Sequence, residues 1–169
     1  EENKGWTYAK YLLEFERGGS YGSSIRAGIE KVRQIATQEK AAGQPLINDP
    51  DFRSKIIKLE MEVRAVEISE LRILSALGAG ERPGAESSVL KMRGTELGQA
   101  VTELAMQALG YYAHPYESAY LAPGSNSEPI GAEYGVTATP RYFNYRKASI
   151  YGGSNEIQRN IIAKLILDL

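Results

Sequence analysis

The chain has 169 residues, 43% hydrophobic, 24% charged and 9% aromatic, with a formal net charge of −1. This is a globular composition, and the length suits one domain, two at most. Twenty basic residues against 21 acidic ones leave no surplus for a nucleic-acid backbone, and no apolar run reaches the ~18–20 residues of a membrane span. Zero cysteines and a single histidine, His114, exclude disulfides, thiolate zinc sites and His-based metal sites, so no metal is expected. The lack of cysteine fits a cytoplasmic protein. Glu1-Glu2-Asn3-Lys4 is not a signal peptide, and without an initiator methionine the chain reads as a piece of something longer or as a processed product.

Gly5 to Gln44 has a helical pattern, with Trp6, Tyr8, Tyr11, Leu12 and Phe15 in its first half and Ile25, Ile29, Val32 and Ile35 on one face of its second. Gly18-Gly19-Ser20-Tyr21-Gly22 lies between the halves, and each glycine costs ~1 kcal/mol relative to alanine inside a helix. The expectation is one long helix whose middle packs very close to a neighbour. Asn48-Asp49-Pro50-Asp51 starts a second helix that runs to about Leu77. Its stripe is Ile56, Leu59, Val63, Val66, Leu74 and Leu77, with Glu60, Glu62, Arg64, Glu67, Glu70 and Arg72 on the wet side. A third helix spans roughly Ala85 to Tyr111.

Residues 112–136 hold prolines, glycines and serines with few periodic apolar residues. They read as a loop of a length that is usually functional or disordered. A short helix follows with Thr139 as N-cap and Pro140 as its first residue. Tyr151-Gly152-Gly153 interrupts, and Ser154 caps a last helix carrying Ile157, Ile161, Ile162, Leu165 and Ile166. Three long helices and a split fourth predict an all-α antiparallel four-helix bundle over residues 1–169.

The run Arg146-Lys147-Ala148-Ser149-Ile150-Tyr151-Gly152-Gly153-Ser154-Asn155-Glu156-Ile157-Gln158-Arg159 is the most distinctive. A Gly-Gly turn lets a ligand approach the backbone, and the helix starting at Ser154 aims free N–H groups and a positive dipole end at that spot. On the residues alone, ordinary turn-plus-cap chemistry is the better explanation. His114, beside Pro115, reads as a surface histidine. The tyrosines at 111, 112, 116, 120 and 134 read as an interface or packing surface, not a nucleic-acid stacking platform.

This terminal run closely resembles the C-terminal signature of the acyl-CoA dehydrogenases, flavoenzymes that introduce an α,β double bond into an acyl-CoA thioester. Gly5-Trp6 through Glu16-Arg17 resembles the entry into the C-terminal domain of that family. The resemblance covers essentially all 169 residues, about half of a family member. It implies a helical bundle that packs on an N-terminal helical domain and a middle β domain, both absent here, with FAD and the thioester between them. A carboxylate removes the α proton while the flavin accepts the β hydride, and a dry surround must raise the pKa of that base.

The resemblance also assigns residues. Many family members carry the glutamate base directly after the tyrosine of the terminal motif, where this chain has Gly152. A smaller set draws it from a Glu-Arg pair in the first helix, and Leu13-Glu14-Phe15-Glu16-Arg17 matches that pattern. Glu16 is therefore the candidate base, with Arg17, Tyr151 and Gly152 lining the substrate site and Gly152 leaving room for the acyl chain. Gly153, Ser154 and Glu156 fall on the cofactor-facing turn. Gln107 and Gly110 match a Gln-x-x-Gly-Gly stretch that contacts the adenine end of FAD across a subunit interface, although Tyr111 replaces the second glycine. The family's Arg-x-x-Phe-Gly motif is replaced by Thr37-Gln38-Glu39-Lys40-Ala41-Ala42-Gly43-Gln44-Pro45. These two departures suit the base-bearing subunit of a heterotetramer better than a homotetramer. Electron-transfer flavoprotein is the expected electron acceptor. The competing expectation is a non-catalytic helical partner or assembly subunit of a heteromeric dehydrogenase.

Overall fold

Asp49 starts the longest helix: its Oδ1 accepts from Phe52 N at 2.7 Å, and Pro50 occupies the first turn, where its missing N–H costs nothing. The structure is a computed structural model that describes residues 2–16, 20–82 and 84–169, with side chains described for all of these but 14–16. The described residues form α1 (Gly5–Glu16), α2 (Gly22–Gln38), a two-residue strand pair β1 (Lys40–Ala41) and β2 (Gln44–Pro45), α3 (Pro50–Gly78), α4 (Glu86–Leu109), α5 (Ser118–Leu121), α6 (Ala138–Tyr145) and α7 (Asn155–Ile166). Single 3-10 turns cover Leu46–Asn48, Gly110–Ala113, Glu133–Gly135 and Arg146–Ser149. The fold is all-α, as the periodicity predicts.

Side-chain pairs fix the helix directions. Arg26–Glu67 and Arg33–Glu60 set α2 antiparallel to α3, while Arg93–Glu62 and Lys55–Gln107 set α3 antiparallel to α4. The fourth leg is composite. Thr139 donates to Ala113 O, Arg146 bonds Gln99 O and Thr102 Oγ1, and Asn155 meets Lys91, so residues 138–155 descend along α4. The dry core sits among α2, α3 and α4, with Ile35, Ile56, Val32 and Val63 fully buried.

Four expectations change. The first helix is two helices, because Glu70 of α3 reaches across and its Oε1 accepts from both Tyr21 N and Gly22 N, the latter at 2.8 Å. That carboxylate caps the start of α2 in place of a local cap. The close packing expected there is real: a Cβ on Gly22 would lie 2.6 Å from Glu67 Cγ. Glu70 is accordingly half-buried, not on the wet side. On α3 the stripe runs through Phe52, Ile56, Leu59, Val63, Val66 and Ile73, and Leu74 faces out at 60% exposure, since residue 73 continues the 3.6-residue period from Val66 and residue 74 does not. The α6 helix begins after Thr137, and the Thr139 hydroxyl goes to Ala113 O instead of capping. Finally, Ile157, Leu165 and Ile166 of α7 are exposed, while Asn155 and Gln158 are buried.

Residues 112–136 are held, not loose. Tyr134 Oη donates to Glu39 Oε1 at 2.8 Å, Tyr120 Oη to Glu133 Oε1 at 2.7 Å, and Ile130 N to Glu117 Oε2 at 2.7 Å. At the β1–β2 turn Ala42 (φ 49°) and Gly43 (φ 79°) both take positive φ, which matches the twist of a two-residue hairpin. No helix among the described residues is long and apolar enough to cross a membrane. Among the described residues no group of three His, Cys, Asp or Glu could hold a metal ion.

Candidate active site

The turn at 151–154 is built from its two ends. On its N-terminal side, Arg146 stacks over the Tyr142 ring at 4.2 Å and donates to Gln99 O and Thr102 Oγ1, each at 2.9 Å. Gln99 Nε2 returns the contact to Arg146 O at 3.0 Å and Ser149 Oγ at 3.1 Å. This reciprocal clamp fixes the 146–149 turn on α4. On the C-terminal side Ser154 is the N-cap of α7, its Oγ accepting from Ile157 N at 3.4 Å. The expected cap is therefore in place.

Between the ends, Gly152 (φ 66°) and Gly153 (φ 87°) take two successive left-handed conformations. Their roles differ. A Cβ on Gly153 would lie 2.6 Å from Gln158 Nε2, whereas a Cβ on Gly152 would meet nothing within 4 Å. Backbone conformation alone demands glycine at 152; the space beyond it is open. Tyr151 is 57% exposed beside it. Glu156, also exposed, has its carboxyl held below the usual carboxylate range, first by its own backbone N–H and then by the Ser154 hydroxyl, Arg159 and Lys91.

A seam of buried polar groups lies beneath the turn. Lys91 on α4 is 3% exposed and donates to Asn155 Oδ1 at 3.0 Å, and Thr95 Oγ1 reaches the same oxygen at 3.3 Å. Gln158, fully buried, donates from Nε2 to Gly153 O at 3.3 Å, and its Oε1 has no partner, like the buried Ser88 Oγ. Sequence reasoning missed this seam. The signal was there: Ser88, Lys91 and Thr95 fall at i, i+3, i+7 on α4, but such spacing in a polar set reads as a wet face.

Farther along α4, Gly98 and Gly94 seat two tyrosine rings. A Cβ on Gly98 would come within 2.5 Å of Tyr145 Cε1, and Gly94 lies directly under Tyr21. Burial pushes both phenols above their ordinary range. The charges that Tyr145, Tyr151 and Glu70 would carry raise Tyr21 further, so these groups share one neighbourhood. Tyr21 thus packs on α4 one position from Thr95, whose hydroxyl bonds Asn155. Glu16 is the last residue of α1, its side chain outside the description, and Arg17 lies outside the described residues.

Gln107 and Gly110 are brought together elsewhere. They line an open cleft of about 440 Å³ at the C-terminal end of α4, with Tyr111, His114 and Tyr142. Gly110 has φ 56° and open space where a Cβ would point. Tyr111 is 90% exposed and stands at a tilt to the exposed His114 ring, centroids 6.2 Å apart. Along α4, residues 91 and 107 are separated by about 24 Å at 1.5 Å per residue. The cleft and the turn are two separate surfaces.

The family model for the acyl-CoA dehydrogenase C-terminal domain matches residues 3–167. The chain belongs to the acyl-CoA dehydrogenase family through that helical domain. Acyl-CoA dehydrogenase IpdE1 of Mycobacterium tuberculosis is 32% identical over 169 residues, which cover 98% of this chain and 38% of that protein. The fold is similar to the crystal structure of an acyl-CoA dehydrogenase from Geobacillus kaustophilus, with a TM-score of 0.79 at 24% identity over 100% of this chain and 40% of that one. It is also similar to a chain of the ChsE4–ChsE5 complex from Mycobacterium tuberculosis, with a TM-score of 0.75 at 27% identity over 100% of this chain and 42% of that one. The chain thus spans well under half the length of the relatives it matches.

Proposed function

We propose that residues 1–169 act as the C-terminal bundle of a cytoplasmic FAD-dependent acyl-CoA dehydrogenase, with Glu16 as the base that removes the α proton of an acyl-CoA thioester. The observation that carries this reading is the neighbourhood of Tyr21. Four residues past the Glu16–Arg17 pair, its ring packs on Gly94 of α4, one position from Thr95, which bonds Asn155 at the end of the glycine turn. On this reading the two halves of the expected site, 135 sequence positions apart at residues 16 and 151, meet over one stretch of α4.

The residues present fit the cofactor. Two left-handed glycines leave the backbone of the turn bare, and the capped start of α7 behind it offers N–H groups and a positive dipole end to an electron-rich partner. FAD, when bound, supplies the two-electron acceptor for the β hydride. Glu16 takes the α proton on its carboxylate, a role that requires a surround dry enough to raise its pKa. Arg17, Tyr151 and Gly152 border the acyl group, and the open space at Gly152 accommodates it. Gly153, Ser154 and Glu156 form the cofactor-facing turn. Gln107 and Gly110, about 24 Å away along α4, serve the adenine end of a second FAD, one held mainly by a neighbouring subunit. Electrons leave to electron-transfer flavoprotein.

A heterotetramer is favoured over a homotetramer by two features: Tyr111 stands in the cleft where a second glycine is expected, and the β1–β2 hairpin replaces the arginine motif. The ChsE4–ChsE5 complex, a chain of which has a similar fold, likewise joins two differently named chains. In the flavin-loaded enzyme, Glu16→Gln should leave FAD content unchanged and slow flavin reduction by acyl-CoA about 10²–10⁴-fold. Unchanged reduction removes Glu16 from the mechanism. Full activity in a partner chain alone, with this chain adding only stability, would favour the assembly-subunit role.

A further inference from the structure

We propose that Lys91 is a positioning residue for the 151–154 turn: it ties the first residue of α7 to α4 and places a positive charge behind the start of that helix, favouring the electron-rich form of whatever docks against the turn. The inference rests on the flavin-facing reading of that turn given above.

Lys91 is a costly residue where it stands. Its ammonium is buried, and its hydrogen-bond partner is the neutral Asn155 Oδ1 at 3.0 Å. Among the described residues it makes no ion pair; Glu156, exposed one residue along, is the carboxylate that acts on it from a distance. A methionine would fill the same space without desolvating a charge, so packing does not account for a lysine here. What the lysine adds is geometry and field. Asn155 is held by Lys91 and Thr95 together, and Asn155 directly follows the Ser154 cap. Gln158, one turn on, holds Gly153 O from below. The turn is therefore fixed from beneath at both Gly153 and Asn155.

The field argument concerns sign. The start of α7 already carries the positive end of a helix dipole. A buried ammonium on the same side would repel it, and the pair is best compensated by negative charge on the open side of the turn. A two-electron-reduced flavin carries more negative charge than the oxidised one, so Lys91 should favour the reduced form.

The test uses Lys91→Met and Asn155→Asp in the flavin-loaded enzyme. Lys91→Met should weaken binding of reduced FAD relative to oxidised FAD about tenfold, which lowers the two-electron midpoint potential by about 30 mV. It should also speed amide exchange at Ile157 and Gln158 at least tenfold, since both N–H groups bond to Ser154. Asn155→Asp gives the ammonium a carboxylate partner. It should lower the potential in the same way while exchange stays slow, a split that a purely packing role would not produce. Unchanged potentials in both variants overturn the proposal, and if Lys91→Met does not fold, Asn155→Asp decides alone. If the unmodified enzyme takes up no flavin, the functional reading above fails instead. The tether is then judged by exchange in the chain, where an unchanged rate in Lys91→Met overturns it.

Discussion

Helix α4 has two sides that are built on different principles. Toward α2 and α3 it presents Leu90, Leu97, Val101 and Leu104, all buried in a dry aliphatic core. Toward α7 it presents Lys91 and Thr95, buried just as deeply and bonded to Asn155, while the buried Ser88 Oγ of α4 and Gln158 Oε1 of α7 are left without a partner. The first side stabilises the bundle through area removed from water, which is insensitive to small shifts in angle. The second contributes little net stability, because each hydrogen bond there offsets a desolvation cost. It does fix direction, and it lies under the turn where the chemistry is proposed.

Substitutions on the two sides should therefore separate. Leu97→Ala, on the dry side, should cost about 2–5 kcal/mol in urea unfolding, as a lost side chain plus a cavity; a loss below ~1 kcal/mol would show that this side is not a packed core. Gly94→Ala, at the boundary, pushes a methyl into the Tyr21 ring and should cost about 1–3 kcal/mol. It should also displace Tyr21, visible as a changed tyrosine environment in near-UV circular dichroism. Gln158→Leu, on the polar side, removes an orphaned acceptor along with the bond to Gly153 O. Its stability should stay within about 1 kcal/mol of the unmodified chain, and a loss as large as that of Leu97→Ala would abolish the distinction between the two sides.

A last effect, confined to alkaline pH, lies outside α4, where the 112–136 segment is pinned to the hairpin. Burial, and then its bond to Glu39, pushes the Tyr134 phenol up from 10.0 to about 12. The folded chain holds this proton where an unfolded tyrosine releases it. The contribution to stability is thus complete below pH 10 and disappears as pH rises from 10 toward 12. Tyr134→Phe should lose that part of the alkaline pH dependence of unfolding; an identical profile would show that Tyr134 is not the group responsible.

The same contrast explains what was legible in the sequence. The stripes of α2 and α3 and the caps at Asp49 and Ser154 could be read because they depend on residues within a few positions of each other. Residues such as Gly152, Gly153 and Ser154 were visible for the same reason, as local turn chemistry. Glu70 could not be placed from its own neighbourhood: its role is to cap a helix that starts 48 positions away at Gly22. Lys91, Asn155 and Gln158 were equally hidden, since polar residues in helices ordinarily face water and only a neighbouring helix can bury them.

By itself, the sequence determined an all-α bundle, the start of each long helix except the break before α2, and the resemblance that leads to the acyl-CoA dehydrogenase family. These follow from periodicity, caps and motif spacing, which are short-range. Tertiary structure alone decided that Glu70 caps the start of α2 and that Thr139 spends its hydroxyl on Ala113 instead of a cap. It also decided that an ammonium lies under the glycine turn. Each of these depends on which backbone or carboxylate arrives from a distant segment, and a polar group takes the partner that removes most of its desolvation cost.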